Sequence, residues 1–237
     1  MEPTNNPVPK HIAIIMDGNR RFARRLMMKP WKGHEWGAKK VEKIIEWCHE
    51  LDVGEVTLYA FSLQNFDRPR DEFKYLMEIF EKETLNLLKN PKLMKYGIRI
   101  NFIGRLFLFP NRLQELGKKL MEKTKNNKTH IVNFALGYGG REEVLEATYR
   151  IAKQVQEGKL EPRKINEEVF EKNLYMDSQP DLIIRTGGEK RTSNFLVWQS
   201  AYSEWIFLEN KMWPDFEKED FMECIAEYGR RHRRFGK

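Results

Sequence analysis

The sequence predicts an α/β fold: one domain spanning residues 1–237, with a mainly parallel sheet of about six strands flanked by helices. Three observations predict it. Short apolar runs alternate with stretches of helical period. The first apolar run stops abruptly at Asp17-Gly18-Asn19-Arg20-Arg21, the way strands of open α/β sheets run into ligand-binding loops. No linker, low-complexity run or internal repeat divides the chain, and a hydrophobic content of 41% suffices for one sizeable core.

In chain order, residues 1–9 are polar and proline-bearing, carry no signal-peptide run and are expected to be flexible. Residues 11–16 read as a strand covered on both faces. Over 37–51, Val41, Ile44, Ile45 and Cys48 recur at helical spacing, and 55–61 reads as the second strand. A long helix over 71–89 turns Phe73, Leu76, Met77, Phe80 and Leu88 inward. Strands over 98–103 and 131–136 are separated by a helix opening near Pro110, since proline suits a first helical turn. Residues 142–156 are helical, 181–186 and 204–208 are strands, and a basic helix from about Phe216 closes the chain.

The net charge of +7 admits nucleic acid, anionic lipid and diphosphates as partners without choosing among them. Cys48 and Cys224 lack CxxC or metal-ligand spacing and read as buried free thiols of a reducing compartment. No segment has the length of a membrane span, so the expectation is a cytoplasmic protein with at most a loose membrane contact.

The unusual polar residues gather at strand ends. After the first strand, Gly18 permits close backbone approach and Asn19 can open a helix, while Arg20 and Arg21 offer forks for phosphate oxygens. Asp17 has the wrong sign for phosphate unless a divalent cation stands between them, which points to Mg2+. The second strand runs into Ser62, Gln64, Asn65, Phe66 and Arg68. The fifth ends at Arg185, followed by Gly187-Gly188, Arg191 and Ser193, where the glycines form either an anion-binding nest or an ordinary left-handed turn. Glu204 offers a second hard-oxygen ligand reaching back toward Asp17, or is an exposed edge charge. His34 donates to a phosphate, acts as a base, or is a satisfied helix-start residue. P-loop, dinucleotide and nucleophile-elbow templates are absent, as is any adjacent Asp-Asp pair.

From about Pro9 to the C-terminus the chain resembles the cis-prenyltransferases, or undecaprenyl diphosphate synthases. The motifs are HIAIIMDGNRRFA, GHEWGAKK, TLYAFSLQNFDRP, PDLIIRTGGEKRTSNFLVWQ, SEWIFL, MWPDF and RRHRRFG, in family order. The resemblance implies the fold of that family and a Mg2+-dependent homodimer. Its members condense isopentenyl diphosphate repeatedly onto an allylic diphosphate primer, making a Z double bond each cycle. Position by position, it implies that Asp17 is the catalytic aspartate handling Mg2+. Gly18, Asn19, Arg20 and Arg21 cradle the allylic diphosphate, with Phe22 and His34 beside it. Asn65 matches the residue assigned as proton acceptor, flanked by Ser62, Phe66 and Arg68, although an amide is a poor base and better suited to orienting one. Arg185, Arg191 and Ser193 match the isopentenyl diphosphate pocket, and Glu204 matches the second Mg2+ ligand. Arg234 and Gly236 match a tail that reaches the diphosphate in the other subunit. An apolar tunnel is needed for the growing chain, and Ile44, Cys48, Leu76, Met77 and Phe80 are either its wall or ordinary core.

Departures from the family pattern are Pro30 where many members have arginine, with Lys29 and Lys32 nearby, Gln64 where glutamate is common, and Lys190 where some have histidine. Arg20 replaces a glycine of many bacterial members, as in archaeal and eukaryotic ones. The implied primer is geranylgeranyl diphosphate or farnesyl diphosphate and the product a precursor of a glycosyl-carrier lipid. Rival readings are a short-chain or non-head-to-tail enzyme of the same fold, a noncatalytic partner subunit, and a basic nucleic-acid-binding protein. The last lacks a groove-reading module, and its carboxylates would repel a nucleic-acid backbone.

Overall fold

Ile12, Ala13, Ile14 and Ile15 are apolar on both faces, and the strand they form, β1 (His11–Ile15), is buried along its length, as a central parallel strand must be. In the computed structural model, which describes residues 7–231, the chain continues through α1 (Asn19–Arg25), α2 (Gly33–Glu50), β2 (Glu55–Ser62), α3 (Arg70–Lys89) and α4 (Lys92–Lys95). There follow β3 (Ile98–Ile103), α5 (Asn111–Thr124), β4 (His130–Tyr138), α6 (Gly140–Gln156), α7 (Glu167–Glu171), β5 (Leu182–Arg185), β6 (Glu204–Phe207) and α8 (Lys218–Arg230). The expectations for residues 1–6 and for Arg234 and Gly236 lie outside the described residues.

The sheet has six strands in the order β3-β4-β2-β1-β5-β6, and every ladder is parallel. Alternation along the strands sends Ile12, Ile14, Val56, Leu58, Leu182 and Ile184 into a core with α2, α3, α5 and α8. Ala13, Ile15, Ala135 and Ile183 face the other side, under Tyr138, Met176, Phe195 and Leu196. Because β2 lies on one side of β1 and β5 on the other, the carboxyl end of β1 is a topological switch point, where diverging loops leave a crevice.

Two helices differ from expectation. The predicted helix over 37–51 begins four residues earlier, after a 3-10 turn at Pro30–Lys32. Gly33 and Gly37 give no apolar signal, yet they let α2 lie on α1: a Cβ on Gly37 would sit 2.2 Å from Asn19 Oδ1. The closing helix is not basic in itself, because α8 carries Glu219, Asp220, Glu223 and Glu227 beside Lys218 and Arg230. Cys48 and Cys224 are buried and unpaired, as expected. Among the described residues no helix is long and apolar enough to cross a membrane.

Candidate active site

The β1 switch point places three polar loops side by side. Directly after β1, Asp17 accepts the Gly18 N–H (2.6 Å) and Arg21 Nη2 (3.2 Å) at Oδ1, and Arg185 Nη2 (2.9 Å) at Oδ2. Gly187 makes this approach possible. Its φ is +88°, and a Cβ there would stand 3.0 Å from the Asp17 carbonyl carbon and 2.7 Å from Arg21 Nη2. Of the two readings of the glycine pair, the anion nest is not formed, because the Gly187 N–H donates to the Lys211 carbonyl and that of Gly188 to the Leu208 carbonyl. The glycine pair is instead the left-handed turn that seats the β5 loop on Asp17.

Arg185 ends β5 with its side chain 3% exposed. Its Nη1 donates to Ser193 Oγ (2.8 Å) and to the Arg191 carbonyl, while its buried Nε finds no partner in the structure. Ser193 and Asn194 hold left-handed backbone (φ 51° and 61°), the kind of local strain that collects at binding loops. The Arg191 side chain is exposed and paired with Glu189.

Beyond β2, residues 62–68 are fixed by a reciprocal cap: Ser62 Oγ accepts the Asn65 N–H, and Asn65 Oδ1 accepts the Ser62 N–H at 3.0 Å. With its oxygen engaged, Asn65 has its amide donors left for a ligand, which argues against a role as the base. Next to it, Glu72, 1% exposed on α3, gathers Arg68 (3.0 Å), Arg20 (3.7 Å) and His34 (3.7 Å). Arg68 Nη1 also donates to His34 Nε2 at 3.1 Å. Burial pushes the His34 pKa below its ordinary value, so the ring is neutral and Nε2 is the accepting nitrogen. Of the three roles open to His34, the structure favours a satisfied residue in the first turn of α2, one that steadies Arg68. Sequence reading missed Glu72, although the Arg68/Glu72 spacing of four on a helix start was a visible signal.

A cavity of about 840 Å³ collects Asp17, Gly18, Asn19, Arg20, Arg21, His34, Ser62, Asn65, Arg68, Arg185, Arg191 and Ser193 at its polar end, with Arg24 added. Its other part is an apolar bore between α2 and α3 over the sheet, lined by Val41, Ile45, Leu76, Phe80, Leu87, Phe61, Phe134 and Leu136. Of the proposed wall residues, Leu76 and Phe80 face the bore, whereas Ile44, Cys48 and Met77 are core.

Three expected site residues stand elsewhere. Phe22 is buried against Trp36, with ring centroids 5.7 Å apart. Phe66 packs in an aromatic cluster with Phe61, Phe73 and Phe109. Glu204 does not reach Asp17 within the chain. It pairs in register with Leu182 and so with Ile12, at the opposite end of a parallel sheet, about 16 Å along the strands from Asp17. Its carboxylate accepts Arg231 Nη1 at 2.9 Å.

For Mg2+, Asp17 is the carboxylate set among the arginines, while Glu189, which also lines the cavity, is paired with Arg191. Among the described residues no cluster of three or more His, Cys, Asp or Glu could cage a metal. That composition suits Mg2+, which takes one or two carboxylates and fills its remaining positions with phosphate oxygens and water. Asp17, partly exposed into a cavity rimmed by arginines, fits as the protein ligand of such an ion.

The family described as "Putative undecaprenyl diphosphate synthase" matches residues 15–236. Curated relatives include the tritrans,polycis-undecaprenyl-diphosphate synthase (geranylgeranyl-diphosphate specific) of Pyrococcus furiosus, 46% identical over 97% of this chain and 88% of the relative. The enzyme of the same name from Methanocaldococcus jannaschii is 45% identical over 97% of this chain and 83% of its own. Among solved structures, lavandulyl diphosphate synthase from Lavandula x intermedia, in complex with dimethylallyl diphosphate, superposes with a TM-score of 0.91 at 34% identity, covering 97% of this chain and 99% of the other. A probable undecaprenyl diphosphate synthase from Campylobacter jejuni gives 0.80 at 35% identity, covering 98% and 100%.

Proposed function

The chain belongs to the undecaprenyl diphosphate synthase family, and on that premise we propose that it elongates an allylic diphosphate with successive isopentenyl diphosphates to a long Z-polyprenyl diphosphate, the precursor of a glycosyl-carrier lipid. The observation that carries this reading is a continuous cavity with an arginine-lined end and an apolar bore, which suits a diphosphate joined to a growing hydrocarbon. The archaeal relatives, named as geranylgeranyl-diphosphate specific, support that primer over farnesyl diphosphate.

In this reading Arg20, Arg21 and Arg24, with Gly18 and Asn19, receive the primer diphosphate, and Arg185, Arg191 and Ser193 receive isopentenyl diphosphate. As the allylic carbon–oxygen bond breaks, the leaving diphosphate keeps the electron pair. The isopentenyl double bond attacks the allylic carbon, and a proton is lost to the released diphosphate. The guanidinium groups stand ready where negative charge develops, so they stabilise the transition state without reorganising. Asp17 would hold Mg2+, which when bound would supply further charge neutralisation of the leaving diphosphate. Asn65, presenting donors, orients isopentenyl diphosphate instead of taking its proton. Phe22 and Phe66 support the site from behind through packing.

The working unit in this proposal is a homodimer in which Arg234 and Gly236 of one subunit complete the diphosphate site of the other. Leu145 and Tyr149, each 68% exposed and one turn apart on α6, support a face left for a second copy. The likeness to lavandulyl diphosphate synthase favours, as a second reading, a short product or a condensation that is not head-to-tail. Incubation with labelled isopentenyl diphosphate, Mg2+ and a series of allylic primers decides between them. Long Z-polyprenyl diphosphates from geranylgeranyl diphosphate are expected; short or branched products would support the second reading, and no product with any primer would remove both.

A further inference from the structure

A turn beside the cavity mouth carries exposed apolar side chains inside a basic segment. Leu26 is 44% exposed and Met27 is 96% exposed at the tip that follows α1. Met27 holds left-handed backbone (φ 55°), an unfavourable conformation for a residue with a side chain, and its thioether stands in solvent. Trp36, on the first turns of α2, is 49% exposed. Residues 24–40 contain six cations, Arg24, Arg25, Lys29, Lys32, Lys39 and Lys40, against the single carboxylate Glu35. Lys29 lies over Trp31 (5.3 Å) and Lys39 over Trp36 (5.8 Å). Arg25 is tied to Asp215, Lys32 to Glu35 and Lys40 to Glu217, which leaves the segment positive on balance.

We propose that this turn is a docking surface for an anionic lipid bilayer. Exposed Leu, Met and Trp side chains ringed by Lys and Arg are the chemistry that enters the headgroup region and meets negative lipid charge. A protein partner is a poorer fit, because one exposed turn falls well short of the ~800 Å² per partner of a stable interface. Arg24 belongs both to this turn and to the cavity wall, so docking here brings the arginine-lined mouth to the membrane surface. The meaning of that placement rests on the proposed function: a prenyl diphosphate is an amphiphile that partitions into bilayers, and the enzyme then meets its primer and releases its product there.

The test is co-sedimentation of the purified full chain with vesicles of phosphatidylcholine alone or mixed with phosphatidylglycerol. Binding to the mixed vesicles is expected, weakening as salt is raised. Met27→Asp should weaken partitioning about tenfold or more, Met27→Leu should restore it, and Lys29→Glu with Lys39→Glu should abolish the preference for the anionic lipid. Met27→Asp should leave the oligomeric state unchanged, as well as turnover of a detergent-dispersed primer without vesicles. The proposal is overturned if the unmodified chain ignores mixed vesicles, or if Met27→Asp binds them equally well. A change of oligomeric state in Met27→Asp would make the turn a contact between copies, and a raised KM for the dispersed primer would make it part of the substrate site; either result overturns the proposal. Vesicle binding that depends on Met27 supports the surface even if no primer is turned over, so this reading and the proposed function fail separately.

Discussion

Neutralising Asp17 would leave the Arg185 guanidinium, 3% exposed and already short of one partner at Nε, without its counter-charge. As a sequence position Asp17 is an exposed loop carboxylate whose loss should spare the fold; its bond to a buried arginine couples activity to stability. Asp17→Asn is expected to lower turnover about 10²–10³-fold and stability by about 1–3 kcal/mol. Steady-state kinetics over a Mg2+ titration, with thermal unfolding of the same samples, checks both; wild-type turnover would remove Asp17 from the chemistry. The buried histidines set a pH dependence of stability. Burial lowers His11 and His34 from the ordinary value of 6.5, so as pH falls below that value the unfolded chain takes up these protons first. Stability is full above 6.5 and is lost toward the lowered folded values. Tm should therefore drop across that window, less steeply in His34→Gln, and a flat profile in the unmodified chain would contradict it.

At the scale of elements, the cap that joins β2 to the 62–68 turn is both structure and site. Ser62→Ala removes the hydroxyl that accepts the Asn65 N–H while leaving the reverse bond in place. The expected cost is about 1 kcal/mol. Turnover should fall roughly ten- to hundredfold through misplacement of Asn65. A loss of Tm with unchanged kcat and KM would make the cap purely structural. The elements themselves were largely legible: all six strands were located to within a few residues, because short, β-branched apolar runs such as 11–16 are too brief for a helix and end at turn residues. The start of α2 was not, since Gly33 and Gly37 serve close helix approach and carry no periodic signal. The choice between nest and turn at Gly187-Gly188 stayed open in the sequence, because a glycine pair looks the same whether its N–H groups face a ligand or a carbonyl of the chain.

For the whole molecule, the cavity of about 840 Å³ amounts to about 28 times the ~30 Å³ share of a liquid water molecule, and its arginine-lined end is not available to hydrocarbon. A geranylgeranyl chain fits that space, and an undecaprenyl chain is more than twice as long. On the proposed function, a product of that length would have to part α2 from α3 or leave the bore past Leu87. Assembly belongs to this scale as well. Light scattering of the full chain should give a homodimer, and Leu145→Asp, placing a charge on the exposed α6 face, should shift it toward monomer. A monomeric unmodified chain, or a variant dimer as tight as the original, would move the contact elsewhere.

The sequence by itself determined the strand and helix pattern, the parallel α/β class, and the set of arginines, amides and carboxylates from which the proposed diphosphate site is drawn, because periodicity and residue type are local properties. Only the tertiary structure decided which of these meet. Strand order put the ends of β1, β2 and β5 at one crevice, and parallel register sent Glu204 to the far end of the sheet from Asp17. Packing turned Phe22 against Trp36 and Phe66 into an aromatic cluster, and made Glu72 the hub for Arg20, Arg68 and His34. Those outcomes depend on contacts between residues far apart in the chain, and neither spacing nor composition encodes them locally.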